Sequence, residues 1–124
     1  MWGIILLAAL AAEPKPVTVC LTQLWEVYDY DYEHQDENGS YAELVTWAWT
    51  VEIKHDLPGG MTGWKYIGFI RLTRILWYDS NEEDTEAWWR SQTGKTGTEA
   101  TTEDAARQIL KHSGRHGEIE IRWR

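Results

Sequence analysis

Cysteine is nearly absent from this sequence of 124 residues, and proline and phenylalanine are rare as well. Because Cys20 is the only cysteine, no disulfide can form within the chain. Long apolar runs are also missing, since the run from Trp2 to Ala12 is shorter than the roughly 20 residues that span a bilayer. The sequence therefore excludes a disulfide framework and predicts no membrane span.

Positive charge is scarce too. Lys and Arg number 12 against 20 Asp and Glu, which gives a net charge of −8. Affinity for nucleic-acid phosphates depends on clustered Lys and Arg, so direct nucleic-acid binding is not expected. The acidic residues are unevenly placed, and the stretch from Glu26 to Glu43 contains no Lys or Arg.

Tryptophan is the residue that this chain has in excess. Nine Trp and six Tyr stand against a single Phe, within a composition of 43% hydrophobic and 26% charged residues. That composition and length are typical of one globular domain. Rings that carry an N–H or O–H occur in cores with one wet end and also at binding surfaces, so the aromatic excess fits both.

The N-terminal segment has the apolar run of a secretory signal peptide, without a positively charged start. Ala9-Leu10-Ala11 supplies the small residues that a signal peptidase reads. We therefore predict that residues 1–12 are a signal peptide or an apolar N-terminal segment, and that residues 13–124 form a single α+β domain. An exported protein is expected, with a cytoplasmic protein as the alternative.

Alternating apolar and polar residues predict strands on both sides of Asn38-Gly39, in the segments Val17 to Val27 and Val45 to Ile53. Asn-Gly is typical of a two-residue type I′ hairpin turn. On the near side of the turn, however, the alternation changes phase. The sequence therefore predicts a β-hairpin with a β-bulge near Val27.

A two-residue turn also predicts which residues face each other across the hairpin. Tyr28 would lie opposite Trp49, and Tyr30 would lie opposite Trp47, which gives favourable aromatic pairs. The bulge would then return Trp25 to the apolar face of the sheet.

The remaining elements follow from periodicity and capping. The segments are a long strand from Trp64 to Tyr78, a short helix from Ser80 to about Gln92, a second helix from Thr101 to Gly114 and a strand in the last seven residues, "EIEIRWR". This order predicts an α+β fold with an antiparallel or mixed sheet, built from an N-terminal hairpin, a long central strand and a C-terminal strand. One or two helices are expected on one face.

No spacing in the sequence predicts a metal, cofactor or catalytic site. An EF-hand frame starting at His34 places Gly39 at the required sixth position but Val45 where a Glu is needed. Neither a nucleophile elbow nor a zinc-ligand pattern is present. The sequence therefore favours a non-catalytic protein over an enzyme, with no cofactor and no metal.

The candidate partner-binding residues are acids on the first strand and adjacent tryptophans on the first helix. Asp29, Asp31 and Glu33 recur at every second position, which places them on one face of the predicted strand. Trp88 and Trp89 are neighbours on a helix, so they cannot both face the core directly.

The expected function is therefore that of a non-catalytic binding protein that acts on a macromolecular partner through an acidic hairpin face and exposed aromatics. The expected partner is a protein with a basic surface. Two alternatives stay open at this point. One is a small acidic inhibitor that imitates the charge of nucleic acid, and the other is an exported carbohydrate-binding or glycoside-acting domain.

Overall fold

A computed structural model of the chain describes residues 16–115 and 118–124. Residues 1–12, for which a signal peptide or an apolar segment is predicted, lie outside the described residues. The elements in chain order are strands β1 (Val17–Gln35), β2 (Tyr41–Asp56) and β3 (Thr62–Tyr78), helices α1 (Thr85–Thr93) and α2 (Gly97–His112), and strand β4 (Ile119–Trp123). A short 3₁₀ turn, Pro58–Gly60, joins β2 to β3.

The strands form one four-stranded sheet in the order β3-β2-β1-β4. The β1–β2 and β2–β3 pairs are antiparallel, whereas β4 runs parallel to β1. Parallel pairing needs a long crossover connection, and both helices lie in the connection from β3 to β4. The predicted α+β fold is confirmed, and the sheet is of the mixed kind.

The helices pack on one face of this sheet, called the helix face below. Ala106 and Leu110 of α2 are fully buried against Val51 of β2 and its neighbours in the core. Gly68 of β3 allows the close approach of α2, because a Cβ at that position would lie 2.9 Å from Ile109 Cγ2. The opposite side of the sheet, called the outer face, carries no helix in the described part of the chain.

Asn38-Gly39 lies in the turn between β1 and β2, as predicted, but the loop is one residue longer than a type I′ turn. The Gly39 N–H donates to the Asp36 carbonyl at 3.3 Å, and the Asp36 N–H donates to the Ser40 carbonyl at 2.9 Å. Gly39 has a φ of +83°, which is the left-handed conformation that follows a type I turn in three-residue hairpin loops. The Asp36 carboxylate also accepts the N–H groups of Asn38 and Ser40, each at 2.9 Å.

The predicted cross-strand pairs Tyr28/Trp49 and Tyr30/Trp47 are wrong. Tyr28 lies opposite Val45, and Tyr30 lies where the β1–β2 ladder is interrupted. The physical reason is that the longer loop and the irregularities of β1 change the register, which a turn-based prediction assumed to be continuous.

A bulge does occur in β1, but earlier in the strand than predicted. Gln23 and Trp25 pair with the consecutive residues Trp49 and Ala48, which leaves Leu24 without a partner in β2. Such an extra residue reverses the alternation of side chains between the two faces.

The position of this bulge decides which side chains of β1 reach the helices. Beyond it, the even-numbered residues Glu26 and Tyr28 lie on the helix face, opposite the core positions of β2. Trp25 and Val27, which were expected on the apolar core face, lie on the outer face and are exposed.

Both helices begin at other residues than predicted. α1 begins at Thr85 instead of just after Ser80, because Asp84 is its N-cap and accepts the N–H two residues further on at 2.7 Å. α2 begins at Gly97, inside the stretch that was read as a loop, and the hydroxyl of Thr96 caps it.

Candidate functional site

A cleft of about 500 Å³ lies on the helix face, between the first two strands and the N-terminal ends of both helices. We call it the aromatic cleft, because its lining includes the rings Tyr28, Trp47, Trp49, Tyr78 and Trp123. Its acidic lining residues are Glu26, Asp84, Glu86 and Glu99. The cleft thus combines ring surfaces with carboxylates.

The tryptophans of the cleft have different exposures. Trp47 and Trp49 share a face of β2, with nearly parallel rings whose centroids are 6.3 Å apart, and both are buried. Trp123 of β4 stands almost perpendicular to Trp49, at 6.0 Å between centroids. Since Tyr28 and Trp123 are 40% and 39% exposed, they form the accessible walls above a buried aromatic floor.

Arginines neutralise two of the acidic side chains in the cleft. Glu86 pairs with Arg74 at 2.5 Å and also accepts the N–H of Thr98 at 2.9 Å, which ties β3 to the start of α2. Glu99 pairs with Arg90, which itself lines the cleft. These two carboxylates are therefore compensated within the fold.

Glu26 and Asp84 have no such compensation, because no Lys or Arg among the described residues forms a salt bridge with either of them. Glu26 accepts the phenolic O–H of Tyr28 at 2.7 Å and lies directly opposite Trp47 in the β1–β2 pairing. The carboxylate of Asp84 accepts the N–H of Glu86 at the start of α1. The cleft therefore keeps negative charge beside its rings.

The phenol groups of Tyr28 and Tyr78 both have a raised pKa in this cleft. The hydrogen bond to Glu26, together with burial and neighbouring carboxylates, raises the pKa of Tyr28 from 10.0 to about 12. Burial is the main cause that raises the pKa of Tyr78, and the charges of Asp84 and Glu43 add to it. A negative environment opposes the formation of a phenolate and favours a bound cation.

A second cavity of about 530 Å³ adjoins the cleft below the interrupted part of β1, and Tyr28 lines both. Tyr41 of the second cavity stacks on Tyr78 of the cleft, with ring centroids 4.9 Å apart. The acids of this cavity are Asp29 and Glu43. The helix-face cleft and the hairpin end thus form neighbouring acidic and aromatic depressions.

The sequence predicts a row of three acids, Asp29, Asp31 and Glu33, which is called the carboxylate stripe below. Its pairing with β2 is interrupted. Asp29 is exposed and lies opposite Leu44, on the outer side of the ladder. Asp31 and Glu33 follow in the interrupted segment, where the N–H of Asp31 donates to the Asp29 carboxylate at 3.0 Å. The β1–β2 pairing does not continue through Asp31 and Glu33, so the prediction of a regular paired row is wrong.

The predicted tryptophan pair lies on α1, away from these acids. Trp88 and Trp89 are both exposed, and their rings are nearly perpendicular at 5.2 Å between centroids. Neither of them lines the aromatic cleft, and Trp89 instead lines a separate cavity that includes Arg74. Their partner-binding role stays a prediction, as does that of Asp29, Asp31 and Glu33.

Sequence reasoning missed Glu26, Asp84 and Trp123 as site residues. Glu26 reaches the helix face only because of the bulge at Leu24, and alternation alone does not locate a bulge. Trp123 reaches the cleft because β4 pairs with β1, and that pairing involves residues far apart in the chain. Asp84 both caps α1 and lines the cleft, and its position at a helix start gives no sign in the sequence of the second role.

Within residues 16–115 and 118–124, no group of three or more His, Cys, Asp or Glu side chains could hold a metal ion. Over the same residues, no helix has the length and apolar character needed to cross a membrane. Comparison with protein-family models, with curated protein sequences and with solved structures finds no match to this chain.

Proposed function

We propose that this chain is a non-catalytic binding protein whose aromatic cleft receives a positively charged segment of a partner protein. The observation that carries the proposal is the position of Glu26 and Asp84, which line an aromatic cleft without a Lys or Arg partner among the described residues. A cation in this cleft would gain both a charge-assisted hydrogen bond and attraction to ring faces.

The accessible walls of the cleft suit a cationic side chain. Tyr28 and Trp123 offer rings at the surface, and the buried rings of Trp47 and Trp49 line the cleft below them. The volume of about 500 Å³ lies within the range of sites that enclose a small ligand or a few side-chain atoms. The concave shape of the cleft therefore favours binding of an inserted cationic side chain over contact with a flat protein surface.

A single contact of this kind is weak, which favours a partner with several basic residues. A cation over an exposed ring contributes about 0.5–1 kcal/mol, and an exposed ion pair contributes at most about 1 kcal/mol. The second cavity, with Asp29 and Glu43, offers further acidic contacts next to the cleft. A basic segment that spans both depressions can add these contributions.

The overall charge of −8 supports the same class of partner. A strongly acidic protein accelerates encounters with basic surfaces and repels acidic ones, and this effect decreases as salt is added. The Lys- and Arg-rich groove of a nucleic-acid-binding protein is one surface with this chemistry. In that case the chain would act as an acidic inhibitor.

The test measures the affinity of a Lys- and Arg-rich peptide by calorimetry, beside a matched peptide in which Gln replaces every basic residue. We expect only the basic peptide to bind, and more weakly as salt increases. Glu26→Gln combined with Asp84→Asn should weaken binding by about 10-fold or more, equivalent to about 1.4 kcal/mol. Asn retains the capping function of Asp84.

Asp104→Asn is the matched control, because Asp104 is an exposed acid on α2 that does not line the cleft. It should leave the affinity unchanged. The proposal is wrong if the double variant binds the basic peptide as well as the parent protein does, or if the parent protein binds neither peptide.

A second candidate is a carbohydrate ligand, which the half-exposed ring of Trp123 beside hydrogen-bonding acids favours. A neutral sugar would bind with little dependence on salt, because no charge is transferred from solvent to the site. Trp123→Ala would abolish such binding, whereas Glu26→Gln would keep a hydrogen-bonding group of similar size. Titration of neutral oligosaccharides under both salt conditions distinguishes this candidate from the first.

A further inference from the structure

The outer face of the sheet exposes large apolar side chains around its centre. Val27 and Ile75 are 54% and 46% exposed, Trp25 is exposed next to Val27 on the same face, and Phe69 is exposed further along β3. Antiparallel sheets with one face in water usually carry polar residues on that face. A contiguous exposed apolar patch instead marks an interaction surface.

The strand pairing gives the layout of this patch, because directly paired residues lie on the same face. From β1 through β2 to β3, the rows are Trp25–Ala48–Arg71, Val27–Thr46–Thr73 and Asp29–Leu44–Ile75. Thr46 is therefore at the centre, and its hydroxyl is hydrogen-bonded to that of Thr73 at 2.9 Å. Ala48 is fully buried between its larger neighbours.

The charged and apolar side chains occupy opposite diagonals of this layout. Asp29 and Arg71 are at two diagonal corners, separated by roughly 10 Å across the strands and roughly 13 Å along them, from standard strand dimensions. Trp25 and Ile75 are at the other two corners. Neither Asp29 nor Arg71 forms a salt bridge with another described residue.

We propose that the outer face is the contact surface between two copies of this chain. A two-fold axis in the plane of the contact, passing over Thr46 and perpendicular to the Asp29–Arg71 diagonal, makes the patch complementary to itself. It sets Asp29 of each copy against the partner's Arg71, and it sets Trp25 against the partner's Trp25. Ile75 then faces the partner's Ile75.

This self-complementarity favours a second copy over other occupants. An isologous contact requires one patch to match itself under a two-fold rotation, and this pattern of corners does so. A strongly basic or strongly acidic partner would instead meet a like charge, at Arg71 or at Asp29. The strands of the two sheets would cross at roughly 70°, which is close to the orthogonal class of sheet packing.

The dimensions of the patch predict a weak dimer. The patch spans only three strands and the rows around Thr46. Its area is therefore small compared with the roughly 800 Å² per partner that is typical of specific interfaces. The acidic remainder of each chain also repels the other copy. We therefore expect dimers to form only at high protein concentration and to become more abundant when salt screens that repulsion.

Sedimentation equilibrium over a wide concentration range tests the proposal on the whole chain. The expected mass rises from 14.5 kDa towards twice that value as the concentration increases. Arg71→Glu and Asp29→Lys should each abolish the dimer, because each places like charges at both paired corners. The combined variant restores opposite charges at those corners and should restore the dimer.

Arg107→Glu is the matched control, since Arg107 is exposed on α2 and this change alters the net charge as much as Arg71→Glu does. It should leave the dimer intact. Ile75→Ser, which changes no charge, should weaken the dimer as well. A chain that stays monomeric at every concentration overturns the proposal, and so does a dimer that persists in both single charge reversals.

The two proposals fail separately, because Glu26 and Asp84 line the cleft whereas Arg71 lies on the outer face of the sheet. Asp29 also lines the second cavity, so Arg71→Glu is the variant that tests the dimer alone. The binding of the basic peptide and the monomer mass are separate measurements on the same protein.

Discussion

The indole N–H of Trp123 donates to Oε1 of Glu103 at 3.1 Å. This bond connects the edge strand β4 to helix α2, and Oε2 of the same carboxylate binds Lys95 Nζ at 2.5 Å. Glu103 is buried, so its two partners replace the water that it would otherwise need. In addition to the pairing of β4 with β1, this carboxylate therefore ties the Trp123 wall of the aromatic cleft to α2.

Trp123→Phe should lower the free energy of unfolding by about 1 kcal/mol, because it keeps an aromatic ring and removes one hydrogen bond. Glu103→Ala should cost more, since it leaves both the indole N–H and Lys95 without this acceptor. Urea unfolding measures both effects. Glu120→Ala is the control, because it removes only the exposed pair with Arg122 and should change stability by less than about 1 kcal/mol.

The hydrogen bond between Tyr28 and Glu26 predicts a pH dependence at the alkaline end. The folded protein holds the Tyr28 proton to a pKa of about 12, whereas the unfolded chain releases it near 10.0. The unfolded state therefore binds fewer protons above pH 10, so stability is full below that pH and falls as the pH rises towards 12. Titration of tyrosinate absorbance, with Tyr28→Phe to identify the group, measures this pKa.

Glu26→Gln should move the pKa of Tyr28 towards 10.0, because the acceptor loses its charge. An unchanged titration of Tyr28 in this variant would show that Glu26 does not hold the phenol in solution. The same variant also serves in the binding test, so one substitution links the electrostatics of the cleft to its affinity for cations.

Gly68→Ala should destabilise the protein by about 1–3 kcal/mol through overpacking. The added methyl would lie 2.9 Å from Cγ2 and 3.0 Å from Cδ1 of Ile109, which packs on this strand from α2. Ile109→Ala creates the missing space, so the double variant should lose less stability than the sum of the single variants. Additive losses would mean that α2 does not approach β3 this closely at Gly68.

The two sets of acids should affect binding of a basic partner differently. Neutralising Asp29, Asp31 and Glu33 to Asn, Asn and Gln should mainly slow association, because removing negative charge weakens the electrostatic steering of a basic partner. The Glu26→Gln and Asp84→Asn pair should mainly accelerate dissociation, because these groups line the cleft. Stopped-flow kinetics at low salt measures the association and dissociation rates separately. An unchanged association rate in the triple variant would show that the carboxylate stripe has no role in binding.

The order of elements could be predicted because each carries its own local signal. The alternation in Val45 to Ile53 gives the central strand, and the Asn38-Gly39 pair gives the hairpin. The helix starts were predicted wrongly because several residues can act as N-caps. In the structure, the side chains of Asp84 and Thr96 accept N–H groups of the first turns of α1 and α2, and Ser80 lies before α1.

The candidate site could not be predicted from local patterns. Trp25 and Glu26 look like a core residue and a surface residue, yet the bulge exchanges their faces. Trp123 joins the cleft through a parallel pairing between the two ends of the described chain. Such long-range pairings depend on the whole sheet, whereas sequence alternation reports only the neighbours of a residue.

The bulge at Leu24 makes β1 one residue longer than its pairing with β2 requires. If the codon for Leu24 were deleted, Gln23 and Trp25 would become consecutive and would still lie opposite the consecutive residues Trp49 and Ala48. Glu26 would keep its place on the helix face, and Trp25 its place on the outer face. Most single-residue deletions within a paired strand turn all later side chains to the wrong face. At Leu24, β1 can instead lose a residue and retain both of its surfaces.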